Sequence, residues 1–542
     1  MQSVSLWVPV DGREVPLAGR LTGPSQPDGR GVVIIPPVGY RHSATFRLWR
    51  LLAECLASNG VRVLRIDPYG TGDSPGMNGQ FAGAEDVAEA LRAAYDFLRR
   101  QGDTTIGGVG CEFTASVLLG VAEEVGLDLV VAVAPVVSGR RFVREQRMLS
   151  QVVPNTDDIS MAGTLFTSRT LESFGMVDLT QLPAPTIRVA VVDREASAPF
   201  GYRFSAESPA EVESVVCRQL TDVLDRPAEE AVVAPALVEA LAGPILRGLV
   251  PQAASSTRHY VVTDATIPAE PGEVRESFCT VGPDELTAVL TSPVDKEPED
   301  LLVLLNSGSD PHTGPGRAWV DYARQVAPSG FGVLRVDLRG WGDSPDNETP
   351  PGRPYDQHAV GDVARLVRAL RADGWRTISV GGLCAGAWIA LEAARSGALD
   401  GVVALNPQMY WQPGDPVEAL MSTTRQRREP EIARIKSAAA RGVWDMQDAA
   451  GDRPPAAQWL DDLAAGGSKI SLIFSEGDDG LEYLRDRLGR RLAAAISSGR
   501  VIVGEVPGID HGMHRVWLRS QMISAITSAL RRTKVQQPDG RG

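Results

Sequence analysis

The stretch GGLCAGA, Gly381–Ala387, sets a cysteine at the centre of a Gly-x-nucleophile-x-Gly frame. Ahead of it runs the short apolar segment TISVGGL, and behind it AGAWIALEAARSG, so the frame joins an expected strand to an expected helix. In such a turn Gly382 and Gly386 leave room where a side chain would meet the neighbouring strand or helix. The helix start behind Cys384 favours negative charge, which helps a thiolate and an oxyanion alike. A free thiol has a pKa near 8.5, and a neighbouring imidazolium lowers it, so Cys384 becomes a nucleophile once a histidine is in reach. Alone, a cysteine at a helix start usually reads as a small buried residue; the elbow frame is what points to a nucleophile.

The chain repeats itself. VLRIDPYGTGDSP (Val63–Pro75) matches VLRVDLRGWGDSP (Val333–Pro345) at most positions, and the same offset pairs Trp49 with Trp319 and His42 with His312. TIGGVGCEFTASV then aligns with TISVGGLCAGAWI, and LDLVVAVAP with LDGVVALNP. A period this long means duplicated domains and not a solenoid. In each copy apolar runs of strand length alternate with helical periodicity, which predicts a doubly wound, mostly parallel sheet buried on both faces. The expected layout is a first domain at 1–250, a polar linker at 251–272, a second domain at 273–534 with a lid at about 408–467, and a tail at 535–542.

The order of strands, the GxGDS loop and the Gly-x-Cys-x-Gly elbow together resemble the α/β-hydrolase superfamily, over both halves of the chain. The expected fold class is therefore α/β, with two tandem α/β-hydrolase domains, each a doubly wound mostly parallel sheet with helices on both faces and a lid insertion. The resemblance implies a nucleophile, an acid and a histidine in that chain order, with the lid after the sixth strand. On this sequence the histidine falls on His511 in VPGIDHGMH, and the acid on Asp478 in SLIFSEGDDG, with Asp479 as the alternative. The acid would hold the imidazole tautomer and stabilise the imidazolium. Expected oxyanion donors are the N–H of Ala385 and a second one in the NSGS loop, near Gly308 or Ser309. Expected pocket walls are Tyr410 and Trp411, while His312 reads either as a substrate contact or, because His42 recurs in the other copy, as a structural group.

The first copy has lost this pattern. Glu112 stands opposite Cys384, Thr114 opposite Gly386, and Pro36-Pro37 opposite Asn306-Ser307, where proline offers no N–H. The expected acid position holds Ala196, and no histidine follows at the end of the copy. A shifted reading would make Cys111 the nucleophile, still without a base. The first copy reads as a non-catalytic partner domain.

A thiol nucleophile points to an acyl-Cys intermediate formed from a thioester or ester. The acyl group would pass to water or to an amine, hydroxyl or thiol acceptor in a biosynthetic pathway. Dienelactone hydrolases, polyhydroxyalkanoate synthases, some releasing thioesterases and aminoacyl shuttles share such an elbow; plain ester, lactone or amide hydrolysis and a non-catalytic scaffold stay open. Arg425, Arg427, Arg428, Arg434, Lys436 and Arg441 form a basic run within the expected lid. It reads as a docking patch for a phosphopantetheinyl carrier protein or as a solvated amphipathic helix. A net charge of −14 argues against nucleic acid and anionic membrane as partners. No metal or cofactor motif is present, and the five scattered cysteines form no CxxC pair. The N-terminus lacks a signal-peptide pattern, and no apolar run is long enough to span a bilayer, so a cytoplasmic location is expected.

Overall fold

A computed structural model of the chain describes residues 1–195, 212–226, 228–252, 261–346, 354–397, 399–409 and 456–533. Tyr410, Trp411, the basic run and Ala196 lie outside the described residues. Two compact units result: Met1–Phe278 with Gly316–Asp321, and Cys279–Pro315 with Tyr322–Gly542.

The first unit is built on an eight-stranded sheet of order β1-β2-β4-β3-β5-β6-β10-β11. Its strands are β1 (Gln2–Val8), β2 (Leu17–Gly23), β3 (Arg30–Ile35), β4 (Arg62–Ile66), β5 (Thr105–Cys111), β6 (Leu129–Val133), β10 (Arg188–Asp193) and β11 (Val212–Val216). From β4 across to β11 every pairing is parallel, whereas β1 and β2 are antiparallel. The reason is legible in β3, whose residues are all buried. Val33 and Ile35 enter one apolar core, and Val32 and Ile34 enter another on the opposite face. Each such side chain contributes roughly 1.5–3 kcal/mol by leaving water, which only a sheet covered by helices on both sides can collect. Between β6 and β10 an insertion forms a small antiparallel sheet, β7 (Gln151–Val152), β8 (Ile159–Met161) and β9 (Thr164–Phe166), flanked by helices Gly139–Leu149 and Ser168–Met176.

The second sheet has nine strands, β12-β13-β14-β16-β15-β17-β18-β19-β20. They are β12 (Asp264–Pro268), β13 (Glu273–Val281), β14 (Leu286–Pro293), β15 (Asp300–Leu304), β16 (Gly332–Val336), β17 (Thr377–Leu383), β18 (Gly401–Leu405), β19 (Lys469–Ser475) and β20 (Val501–Val506). β16, β15, β17, β18, β19 and β20 are parallel neighbours, so all their C-terminal ends meet one edge of the sheet. The expected class, α/β with two large, mostly parallel, doubly wound sheets, is the class observed.

Two expected boundaries shift. Asp264–Pro268, read as linker, is an edge strand paired with β13; its polar, Pro-flanked sequence suits a half-solvated edge. The end of the expected lid is helix Ala456–Ala465, whose Leu460 and Leu463 are buried in the core of the second unit.

The GxGDS loops explain the strongest sequence repeat. Asp337 accepts from the backbone N–H of Asp343 at 3.0 Å and of His312 at 2.7 Å, and its own carbonyl accepts from the Ser344 hydroxyl at 2.6 Å. Asp67 does the same with Asp73 N at 3.1 Å and the Ser74 hydroxyl at 2.5 Å. Any Cβ at Gly342 would sit 2.0 Å from an Asp337 carboxylate oxygen, and one at Gly72 1.9 Å from Asp67, so both positions require glycine. The repeat is a turn held by an aspartate, fully buried in the second copy and half-buried in the first.

Candidate active site

β17 is buried along its whole length and delivers Cys384 at the sheet edge. Cys384 has φ 55°, ψ −113°, a backbone region that L side chains rarely adopt. Its N–H donates to Leu405 O at 2.9 Å and its carbonyl accepts from Trp388 N at 3.1 Å, which lock the turn between β18 and helix Ala385–Ala394. The two glycines have measurable work. A Cβ on Gly382 would lie 2.5 Å from the Gly386 carbonyl carbon, and one on Gly386 would lie 2.3 Å from the Asn306 carbonyl oxygen. The elbow helix therefore presses directly on the loop that holds Asn306, Ser307, Gly308 and Ser309. In that loop Gly308 has φ 57°, and its carbonyl accepts from Trp341 Nε1 at 2.8 Å. Ala385 is the first residue of the elbow helix, where backbone N–H groups have no intrahelical partner.

His511 and Asp478 meet. His511 Nδ1 lies 2.6 Å from Asp478 Oδ2, while the other carboxylate oxygen of Asp478 caps helix Asp479–Ser497 by accepting from Gly480 N at 2.9 Å. Asp478 is 5% exposed, so its charge faces the imidazole with little water between. A neutral ring in this pose carries its proton on Nδ1 and presents Nε2 as the basic nitrogen. Asp479, the alternative acid, is the first residue of that helix. Cys384, Asp478 and His511 follow β17, β19 and β20 respectively, so all three rise from the same edge.

His312 requires a correction. It is 4% exposed and its Nδ1 lies 2.7 Å from Asp337 Oδ2. His42 repeats the arrangement, with Nε2 3.1 Å from Asp67 Oδ1. A histidine held on the aspartate that precedes the GxGDS loop in both copies, and buried there in the second, is placed as the structural reading expects. His514 pairs with Asp510 at 3.2 Å. Burial raises the Asp510 pKa, but the His514 partner and the backbone N–H groups of Arg515 and His514 outweigh it and hold the carboxyl well below its ordinary range.

Three site residues carried no signal in the sequence. Asn406, 0% exposed, donates from Nδ2 to His511 O at 2.7 Å and to the Ser475 hydroxyl at 2.8 Å, while its Oδ1 accepts from Ser475 N at 2.6 Å. It ties the end of β18 to the loops carrying the acid and the histidine. Tyr355 and Gln408 reach the sulfur itself: the Tyr355 hydroxyl is 3.4 Å from Cys384 Sγ, and Gln408 Oε1 is 3.9 Å from it. Only an element order known in space would have brought these three together.

In the first unit the same turn exists without the same groups. Glu112 has φ 54°, ψ −117°, and its N–H donates to Val133 O at 2.8 Å, as Cys384 does to Leu405. Thr114 stands where Gly386 stands, its hydroxyl donating to Ile35 O and accepting from Cys111 N. Glu112 is ion-paired with Arg41. Burial alone would lower the Arg41 pKa, yet the charge of Glu112, with Tyr40, leaves it above its ordinary value. Phe113, the residue after Glu112, packs at 4.4 Å on Phe174 of the insertion, which also contacts Phe81, Phe142 and Phe166. Cys111 is fully buried, and burial, then the Glu112 charge, pushes its thiol well above the ordinary value.

Among the described residues no group of three or more His, Cys, Asp or Glu could hold a metal ion, and no helix is long and apolar enough to cross a membrane.

No curated protein matches the chain. Among solved structures it is similar to Est1E from Butyrivibrio proteoclasticus bound to ferulic acid, at 17% identity and TM-score 0.36, over 45% of this chain and 98% of that one. The esterase domain of a Rhodothermus marinus protein is similar at 19% identity and TM-score 0.32, over 46% and 99%. A dienelactone hydrolase from Anabaena variabilis is similar at 11% identity and TM-score 0.32, over 50% and 98%. Residues 302–533, which hold the elbow and strands β16 to β20, match the sequence profile of the Alpha/beta hydrolase family.

Proposed function

We propose that the chain is an acyl-transfer enzyme in which Cys384 forms an acyl-Cys intermediate from a thioester or ester. His511 takes the thiol proton, the sulfur attacks the acyl carbon, and the carbonyl becomes an oxyanion facing the backbone N–H of Ala385 and of Gly308 or Ser309. The leaving thiol or alcohol departs with the proton held by His511. Water, or an amine, hydroxyl or thiol acceptor, then gives its proton to His511 and attacks the acyl-Cys carbon, and the proton returns to the sulfur as it leaves. Asp478 orients the ring and stabilises the imidazolium.

The observation that carries the reading is the 2.6 Å His511–Asp478 contact at the sheet edge where Cys384 sits in its strained turn. In the first unit, the Glu112–Arg41 pair and the phenyl rings around Phe174 support a non-catalytic role. The acyl donor is then a small-molecule thioester or ester, or an acyl chain on a phosphopantetheinyl carrier protein.

Intact-mass measurement after incubation with simple acyl thioesters tests this. The expected result is a mass increase of one acyl group, absent from Cys384→Ala. Product analysis with and without acceptors separates hydrolysis from transfer. Full turnover by Cys384→Ala would overturn the mechanism, and no mass shift with any acyl donor would favour a binding role.

A further inference from the structure

Tyr355 is an unusual residue to find beside a sulfur. It is 1% exposed and has φ 63°, a conformation that a bulky side chain adopts only when its surroundings hold it there. Two contacts do so. Its ring packs edge-on against Trp388 of the elbow helix, centroids 5.6 Å apart, and the next residue, Asp356, caps helix Gln357–Ala372 by accepting from His358 N at 2.9 Å. The hydroxyl thereby arrives 3.4 Å from Cys384 Sγ and donates to Gln408 Oε1 at 3.1 Å. Gln408 is 4% exposed, and its carbonyl oxygen is also addressed by the Cys384 thiol at 3.9 Å.

This triangle is built for two protonation states. With a neutral thiol, S–H and O–H both turn to the amide oxygen of Gln408. A thiolate cannot face that oxygen without a donor between them, because both carry negative charge or lone pairs. The Tyr355 hydroxyl has one proton and two candidate acceptors, Gln408 Oε1 and the ionised sulfur. A hydrogen bond to the charged form of a group favours that form.

We propose that Tyr355 donates its hydroxyl proton to the Cys384 thiolate and that Gln408 competes for the same proton, so that the two residues together set the ionised fraction of the sulfur. The proposal rests on the reading of Cys384 as a nucleophile. Tyr355 comes to the sulfur from the segment before helix Gln357–Ala372 and Gln408 from the segment after β18, and Trp388 of the elbow helix backs the Tyr355 ring. The titratable pair His511 and Asp478 comes from the same sheet edge.

The test needs no substrate. The full chain is alkylated with iodoacetamide between pH 5 and 9, and the rate at Cys384 is read by peptide mapping. Tyr355→Phe, which keeps the ring, is expected to raise the midpoint of the pH profile by about one unit, a roughly 10-fold slower reaction below the midpoint. Gln408→Leu, which removes the competitor and the acceptor of the thiol proton, is expected to lower it, and the double variant to fall between the two single variants. Opposite signs from two neighbouring conservative changes are not what loosened packing produces. Should Tyr355→Phe unfold, the Gln408→Leu direction still decides. An unmoved midpoint in Tyr355→Phe, or an upward shift in Gln408→Leu, overturns the proposal. A wild-type midpoint near that of a free thiol, unchanged by His511→Ala, overturns the nucleophile reading instead.

Discussion

Asn406→Asp changes one buried amide nitrogen to oxygen and leaves the shape intact. The wild-type amide donates to His511 O at 2.7 Å and to the Ser475 hydroxyl at 2.8 Å. An ionised carboxylate donates to neither, and it sets negative charge against the His511 carbonyl. Ser475 can turn its hydroxyl toward the new oxygen only by leaving Asp510 O, to which it now donates at 3.0 Å. Two lost hydrogen bonds at about 1 kcal/mol each, with about 1–3 kcal/mol for a buried carbonyl left unpaired, come to roughly 3–5 kcal/mol. At roughly 2–4 °C per kcal/mol, the transition of the second unit should fall by roughly 6–20 °C at pH 8. The new carboxyl can escape by taking a proton, which restores one donor. Its folded pKa then lies above its unfolded value. The stabilisation from that proton is complete below an ordinary aspartate pKa of about 3.9 and is lost as pH rises through the folded value. Thermal melts of both proteins across pH 5–8 should converge toward the acid end. A variant that melts with the wild type at pH 8 would refute the account of Asn406 as the tie between β18 and the histidine loop.

Alkylation at pH 7 should modify Cys384 well before Cys111, Cys55 and Cys217, because burial raises the last three thiols above their ordinary values; peptide mapping over time reads the order, and early modification of Cys111 would contradict it. Glu112→Gln leaves the Arg41 guanidinium without its carboxylate and should destabilise the first unit by about 3–5 kcal/mol in urea titrations, whereas replacing both residues with apolar ones should cost far less. Burial raises the Asp103 carboxyl to about 6, although the Arg62 ion pair at 2.8 Å opposes the shift. Because this folded pKa is above the unfolded one, the stability it contributes is full below about 3.8 and disappears as pH rises through about 6. That is up to about 3 kcal/mol, and Asp103→Asn should flatten the stability of the first unit against pH over this window.

The fold was legible because it is written in strictly local signals. Alternating apolar runs and helical periodicities gave both sheets, and the GxGDS repeat marked equivalent turns whose aspartates, Asp67 and Asp337, serve backbone geometry. What local signals could not give was identity across the sheet edge. Asn406 is one polar residue after an apolar strand, Gln408 looks like the first residue of a lid, and Tyr355 falls in a Pro- and Arg-rich loop. Each acquires meaning only when β18 is placed between β17 and β19. His312 shows the same limit: its recurrence as His42 leaves a substrate contact and a structural group both open in the sequence, and only the position of its ring on Asp337 favours the second. The strand β12 was missed because an edge strand needs neither an apolar face nor a long run.

The first unit sharpens what the elbow does and does not mean. Glu112 adopts nearly the same strained angles as Cys384, φ 54° against 55°, while its carboxylate is held in an ion pair with Arg41. Strain at that residue is therefore imposed by packing the helix onto the strand ends, and by itself it signals no chemistry. In the first unit the turn accommodates a threonine where the second requires glycine, because Thr114 uses its hydroxyl to bridge Cys111 and Ile35. At Gly386 the loop carbonyl of Asn306 comes so close that a methyl group would meet it at 2.3 Å. The two turns differ in what stands two residues after the apex: a threonine bridged through its hydroxyl in the first unit, a glycine pressed under the Asn306 carbonyl in the second. On the mechanism proposed above, close approach of that loop, together with a histidine held by a buried acid, would separate a turn that stabilises a developing negative charge from one that only joins a strand to a helix.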